Sequence, residues 1–367
     1  MNFYWNHFSP TNLVLDLIIA VTLPLFVFWL VRRKGSNLDR RARFFLILKA
    51  LAFYFVLILI ISAVPGISTF LRAHFLWTVG SVVLPATIVV IAFRVKRYAL
   101  LLLALPLLGI KYYAEVYEPR NLEVSYFTTQ HRAIQKQVRI AHLSDLQTDG
   151  IGPMHLDVRE ALLAFKPDLV VFTGDVLNHK DLIPEVYAWL KSLNSGRDYF
   201  VTGNVDGLLD LNEFEQKTGF KVMDGKQEEL QINGQRLGLI GLGLPDFRND
   251  NLLKFLHSKT SSPYTILLSH YPDAMFLARN RNIDLLLAGH THGGQIVIPG
   301  FGPIMTLSHV PRKIGAGGMH QVEDLTVVVS RGLGMEGHVA PRVRIFCRPQ
   351  LVLLTLAPEQ ASLPAIR

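Results

Sequence analysis

Apolar residues along this chain fall into two textures. Through the first third they form long runs, at about 13–31, 44–64, 75–93 and 98–113. A helix that spans a bilayer needs about 20 apolar residues, within a range of about 17–25. The first three runs meet that length and the fourth is marginal. Beyond residue 120 the runs shorten, turn β-branched and alternate with longer mixed segments, which predicts an α/β domain. Strands are expected at about 139–143, 169–173, 199–202, 237–242, 265–269, 285–288, 325–330 and 351–356. Helices are expected at about 155–165, 183–193, 212–216, 251–257 and 273–279. The division that follows is a membrane module over 1–119, with three to four transmembrane helices, and an α/β domain over 120–367.

Charge sharpens the division. The 367 residues carry a formal +8, and half of them are hydrophobic. Up to Arg120 there are 13 Lys and Arg against 4 Asp and Glu, whereas the remainder has 24 against 25. The basic excess belongs to the apolar third, so the following domain has no net positive charge to attract nucleic acid, and none is expected as a partner. The loop after the first run holds Arg32, Arg33, Lys34, Arg40, Arg41 and Arg43, and the loop after the third holds Arg94, Lys96 and Arg97. Such loops mark the cytoplasmic side. Four spans would put the C-terminal domain outside the cytoplasm and three would put it inside. Either way a multi-pass protein of the cell (inner) membrane is expected, in contact with membrane lipids. The single cysteine, Cys347, excludes an intrachain disulfide and a Cys-based zinc site.

Candidate chemistry sits where apolar runs stop. "RIAHLSDLQ" delivers Asp145 and Gln147, "DLVVFTGD" Asp175, "YFVTGNVD" Asn204, "TILLSH" His270, and "DLLLAGHTH" His290 and His292. Ligands gather beyond the carboxyl ends of strands in open α/β sheets. Asp, Asn and His are also common after strands for turn reasons, but five successive ends carrying metal-ligand types point to one shared site. Carboxylates, amides and imidazoles suit Mn²⁺, Mg²⁺, Fe or Zn²⁺. Two such ions can clamp the attacking and leaving oxygens of a displacement at phosphorus.

In order, these blocks read Asp145-Leu-Gln147, Gly174-Asp175, Gly203-Asn204-Val205-Asp206, His270 and Gly289-His290-Thr291-His292. They resemble the calcineurin-like metallophosphoesterase superfamily over roughly residues 138–357. "GHTHGGQ", "SRGLG" and the ending "RPQLVLLTL" resemble its membrane-associated bacterial branch. The resemblance implies an αββα sandwich of two mixed sheets and two divalent metal ions, Mn²⁺ foremost. It implies Asp145, Gln147, Asp175 and His292 at the first metal, and Asp175, Asn204, His270 and His290 at the second, with Asp175 bridging. Asp175, Asn204 and His290 then carry the catalysis.

Two positions depart from the superfamily pattern. Gln147 stands in place of a histidine ligand, which implies a looser first site favouring Mn²⁺ or Mg²⁺ over Zn²⁺. Val205 stands where a histidine ordinarily supports the leaving group. General-acid help is worth about 10²–10⁴-fold, so its loss favours a leaving group that is already a good one, such as the phosphate of a pyrophosphate. The UDP-2,3-diacylglucosamine pyrophosphatases of lipid A biosynthesis also depart from the histidine here, and they act on a lipid-linked substrate. The expected function is therefore cleavage of a phosphoester or pyrophosphate, with a lipid-linked substrate such as UDP-2,3-diacylglucosamine. The alternatives are a broad-specificity membrane phosphodiesterase or phosphatase, and a non-catalytic metal-binding membrane protein. His142 is expected as a core or supporting histidine, and Asp206 as the residue that orients the loop around Asn204.

Overall fold

The computed structural model describes residues 69–244, 262–279, 281–337 and 340–359, with isolated positions between Thr22 and Val56. The apolar runs at 13–31 and 44–64, and the helix expected at 251–257, lie outside the described residues. The chain divides into two compact units. One runs to Val116 and includes Glu336–Arg342, and the other comprises Tyr117–Met335 and Val343–Arg367.

In the first unit, α1 (Arg72–Arg94) is followed by α2 (Tyr98–Arg120), each 23 residues long. Both are long and apolar enough to cross a membrane by length and composition. The fourth run, marginal by its apolar residues alone, thus forms a helix of full spanning length. The helices are continuous through π-helical turns at Val79–Val83 and Tyr113–Tyr117, and α2 accommodates Pro106 in its interior. Only Val95, Lys96 and Arg97 separate them, so α2 doubles back along α1. A polar tie marks the end away from this turn. Trp77 Nε1 donates to Glu115 Oε1 at 2.8 Å, and Lys111 Nζ donates to the same oxygen at 2.5 Å. An acidic side chain among apolar helices needs such partners.

The second unit is built on two six-stranded sheets. The first contains β1 (Glu123–His131), β2 (Val138–Leu143), β3 (Leu169–Phe172), β4 (Asp198–Phe200), β5 (Lys221–Val222) and β14 (Gln350–Pro358), in the order β1-β14-β2-β3-β4-β5. The second contains β6 (Lys226–Ile232), β7 (Gln235–Leu242), β8 (Thr265–Ser269), β9 (Leu285–Ala288), β12 (Gly318–Val322) and β13 (Leu325–Val329), in the order β12-β13-β9-β8-β7-β6. Both are mixed. β14 runs antiparallel to β2, and β6 antiparallel to β7, while β2-β3-β4 and β7-β8-β9 are parallel.

Alternation within the strands decides the layering, because successive side chains face opposite ways. Ile140, Val171 and Leu354 from the first sheet share one core with Leu239, Leu268 and Leu287 from the second. The sheets therefore pack face to face. On the far side of the first sheet, Leu143, Val170 and Leu353 meet α3 (Pro153–Phe165) and α4 (Ile183–Ser192) through Val158, Leu162, Val186 and Leu190, and α5 (Leu211–Thr218) through Phe214. On the far side of the second, Leu267, Leu286 and Val327 meet α6 (Met275–Ala278) and α7 (Arg312–Gly315) through Met275 and Ile314. Local signals end the helices. Pro153 and Pro184 sit in first turns, where a missing N–H costs nothing. The Asp210 carboxylate accepts from the N–H groups of Asn212 and Glu213 to start α5. Gly219, at φ 85°, closes it.

β2, β3, β4, β8 and β9 all end toward the same rim. The segments that follow them carry Asp145, Asp175, Asn204, His270 and His290.

Candidate metal centre

Three of these five segments leave their strands through tight corners. Asp145 (φ 48°), Gln147 (φ 23°), Asp175 (φ 61°), His290 (φ 70°) and His292 (φ 48°) all adopt positive φ. Non-glycine residues rarely do so, and clusters of them mark functional sites. Close approach adds a demand for glycine. A Cβ on Gly289 would run into Ser144 Oγ and Asp145, and one on Gly203 would run into the Asp175 carboxylate.

The structure brings all seven expected ligands into one contiguous cluster. His292 Nε2 lies 3.4 Å from Asp145 Oδ1. The backbone N–H of His290 donates to both Asp145 oxygens at 3.1 Å. His270 Nε2 is 3.3 Å from Asp175 Oδ2, 3.1 Å from Asn204 Oδ1 and 3.2 Å from His290 Nδ1. Gln147 Nε2 donates to Asp175 Oδ2 at 3.2 Å. A half-turn of that amide would present its oxygen to the cluster instead, since the two ends are nearly equivalent in size. Among the described residues, ligand atoms of Asp145, Asp175 and His270 all lie within 4.8 Å of one another.

Hydrogen bonding fixes the tautomers. His270 Nδ1 is 2.7 Å from the Thr173 carbonyl, so it carries a proton and turns Nε2 toward the cluster. His290 Nε2 is 3.3 Å from the Leu307 carbonyl, so Nδ1 keeps its lone pair. Two imidazole nitrogens, His270 Nε2 and His290 Nδ1, and two oxygen acceptors, Asp175 Oδ2 and Asn204 Oδ1, therefore face one point. A positive charge, whether a proton on His270 or a cation, reconciles them.

The titration behaviour has the same cause. Burial opposes charge on His270, but Asp175 and Asp145 outweigh it and push the imidazole up to about 10. Burial, with Asp175 as a like charge beside it, raises Asp145 to about 7. Asp175 is held below the usual carboxylate range despite its burial, chiefly by His270. His290 is lowered to about 4 by burial and by His270, and His292 falls well below its ordinary value through burial and Arg344. Both remain neutral imidazoles, the form that binds metal.

Supporting groups hold the corners. Asp206 accepts the N–H groups of Asp175 (2.7 Å), Val176 (2.8 Å) and Gly203 (2.7 Å), locking the Asp175 corner to the segment that carries Asn204. The Val205 N–H donates to Asp175 Oδ1 at 3.0 Å. Behind Asp145, His142 Nε2 pairs with Thr173 Oγ1 at 2.8 Å, which in turn donates to Ser144 Oγ at 2.9 Å. Asp145, Asp175, His270 and His292 are buried, whereas Asn204, Val205, Tyr271 and His290 are half-buried and form the open edge.

Sequence reasoning missed two residues. Tyr271 packs its ring 4.3 Å from that of His290 and 5.2 Å from that of His270. Its position directly after a ligand was the available signal. Arg344 is fully buried and donates to the carbonyls of Arg331 (2.8 Å), Gly334 (2.5 Å) and Cys347 (3.0 Å). It thereby shapes the segment whose Leu333 and Gly334 N–H groups reach the Asp145 carbonyl. No sequence pattern distinguishes it from the arginines around it.

Comparison with known proteins bears on this arrangement. Residues 138–294 match the family described as calcineurin-like phosphoesterase. An uncharacterised metallophosphoesterase of Bacillus subtilis, YkuE, is 30% identical over 267 residues, covering 66% of this chain and 88% of its own. The chain belongs to the calcineurin-like metallophosphoesterases. A metallophosphoesterase of Aquifex aeolicus is 29% identical, over 68% of this chain and 96% of its own. The phosphodiesterase YaeI of Escherichia coli is 26% identical, over 59% and 82%. The chain is thus a phosphoester hydrolase by family, whose fold implies divalent metal ions. A cluster of imidazoles and carboxylates converging on one point fits such ions.

Proposed function

We propose that this metallophosphoesterase hydrolyses a phosphodiester or pyrophosphate bond in a lipid-linked substrate, at a dinuclear site. The observation that carries the reading is the convergence of ligand-type atoms at His270 Nε2, His290 Nδ1, Asp175 Oδ2 and Asn204 Oδ1. Asp145, Gln147, Asp175 and His292 would hold one cation, and Asp175, Asn204, His270 and His290 the other. The oxygen-rich donor set favours Mn²⁺. Bound there, divalent cations supply positive charge against the phosphoryl oxygens and lower the pKa of water.

The chain's own residues do the rest. Asp175, pinned by Asp206 and Val205, would hold both cations. The Thr173 and Leu307 carbonyls orient the two imidazoles. Asn204 and His290, on the open edge, are the ligands a substrate meets first. Val205 offers that edge neither a proton nor a charge, so the bond cleaved must release a good leaving group. The name of the Escherichia coli relative favours a diester over a monoester.

Chain tracing bears on where this happens. Arg94, Lys96 and Arg97 surround the turn between α1 and α2, and basic turns stay cytoplasmic. A hairpin with that turn inside delivers residue 120, and the domain after it, to the opposite side. A multi-pass inner-membrane protein facing outward favours a phospholipid or other lipid-linked ester over cytoplasmic UDP-2,3-diacylglucosamine. Turnover of bis-p-nitrophenyl phosphate with added Mn²⁺ tests the chemistry. No turnover at any metal concentration would leave a metal-binding protein without catalysis. A C-terminal reporter fusion tests the side, and a cytoplasmic signal would return the nucleotide sugar to first place.

A further inference from the structure

A short hairpin leaves the cluster directly. After His292 and Gly293, the chain forms β10 (Val297–Ile298) and β11 (Gly302–Pro303), paired antiparallel. Ile298-Pro299-Gly300-Phe301 closes it, with the Phe301 N–H donating to the Ile298 carbonyl at 3.0 Å and Gly300 at φ 80°. Proline followed by a positive-φ glycine is the signature of a type II turn. The segment from Gln295 to Leu307 contains no charged residue. Ile298, Phe301, Ile304 and Leu307 are 46%, 58%, 55% and 46% exposed. Four large apolar side chains on one short hairpin exceed the scatter expected of a water-facing surface.

The surroundings say what covers them. No Asp or Glu occurs between Leu285 and Val322. Arg312 and Lys313 are exposed just past the hairpin, and the Arg312 guanidinium lies 4.3 Å from the centre of the Phe301 ring. Asp273, bonded to the segment just past the hairpin, is engaged by Ser308 and His309. An apolar tip with an aromatic ring, rimmed by cations, complements the boundary between acyl chains and anionic headgroups.

We infer that the 295–307 hairpin is a lipid-inserting lip, which seats Phe301 and its neighbours in a bilayer containing anionic phospholipid. The lip reports to the cluster through two links. Its Leu307 carbonyl accepts from His290 Nε2, and its base continues from the His292 corner. This surface is independent of the hydrolytic reading, because the lip would insert whether or not the cluster turned over.

The test uses the full chain with Phe301→Cys carrying a nitroxide, in nanodiscs of phosphatidylcholine with or without phosphatidylglycerol. Cys347, 1% exposed, should stay unlabelled. In anionic discs, collisions with oxygen should rise at position 301 and collisions with a water-soluble nickel chelate should fall. The same label at Leu163→Cys, 62% exposed on α3, should stay aqueous. Adding Arg312→Glu and Lys313→Glu should cut the inserted-to-free ratio about fivefold for each cation removed. An aqueous signal at 301 in both lipids would overturn the inference. So would an insertion indifferent to both charge reversals. Dipolar broadening that disappears on dilution with unlabelled chain would assign the hairpin to a second copy instead, and would equally overturn it.

Discussion

His270 and His290 each turn one nitrogen toward the other, Nε2 of the first lying 3.2 Å from Nδ1 of the second, while their remaining nitrogens are committed to the Thr173 and Leu307 carbonyls. Neither ring can reorient without losing a backbone partner, and on the proposed assignment the pair would share a cation. Even partners one shell further out typically change metal affinity about 10–100-fold. His290→Ala should therefore lower bound metal, measured by elemental analysis, and turnover by on the order of 10²-fold or more. Circular dichroism should remain that of the parent chain. An active, metal-replete variant would contradict the assignment.

Val205 occupies the open edge without a proton to give. Val205→His should raise turnover of esters with poor leaving groups by on the order of 10²-fold. Activated p-nitrophenyl diesters, which need little help, should change by much less. Comparing the two rate ratios reads out the effect, and equal gains on both would argue against a leaving-group role at this position.

The Asp206 carboxylate receives three backbone N–H groups in a buried setting. Burial and the nearby Asp175 charge raise it to about 6. Asp206→Asn keeps the shape but replaces one acceptor oxygen with an NH₂ group facing a donor. The cost should be about 2 kcal/mol, a fall of about 4–8 °C in Tm for a domain of this size. Weaker metal retention should accompany it, since the Asp175 corner is what loosens. A thermal scan paired with metal titration separates the two effects.

His142 gives a pH prediction. Burial lowers it to about 3 from an ordinary 6.5. Between those values the unfolded chain binds a proton that the native chain refuses. Stability is therefore undiminished above pH 6.5 and falls as pH drops toward 3, by at most about 1.4 kcal/mol per pH unit. His142→Gln, which cannot titrate, should flatten the acid limb of a Tm-against-pH curve by that single proton. The same slope in both proteins would place the titration elsewhere.

Much of this was legible in the sequence because the buried strands are short apolar runs with abrupt polar ends. The expected strands at 265–269 and 285–288 coincide with β8 and β9, and the others differ at one or both ends by one or two residues. The strands that escaped notice have a different pattern. In β6, KQEELQI, only Leu230 and Ile232 are buried, because it is an edge strand exposed on one side. In β1, EVSYFTTQH, no residue is fully buried. At the centre, residue types and spacing indicated which side chains would meet, but not how. The tautomers of the two histidines depend on the Thr173 and Leu307 carbonyls, which no side-chain pattern encodes. The buried guanidinium of Arg344 depends on carbonyls in the same way.

The positive φ values at Asp145, Gln147, Asp175, His290 and His292 have a consequence for how an ion-free chain behaves. Each left-handed corner costs an L-residue about 1 kcal/mol, and on the proposed assignment removing the cations would remove part of what holds the five together. Relaxation should begin at these corners while the sheets stay intact. Amide exchange would then quicken first at the rim and spread inward from there, so that chelation melts a ring of turns and not the domain.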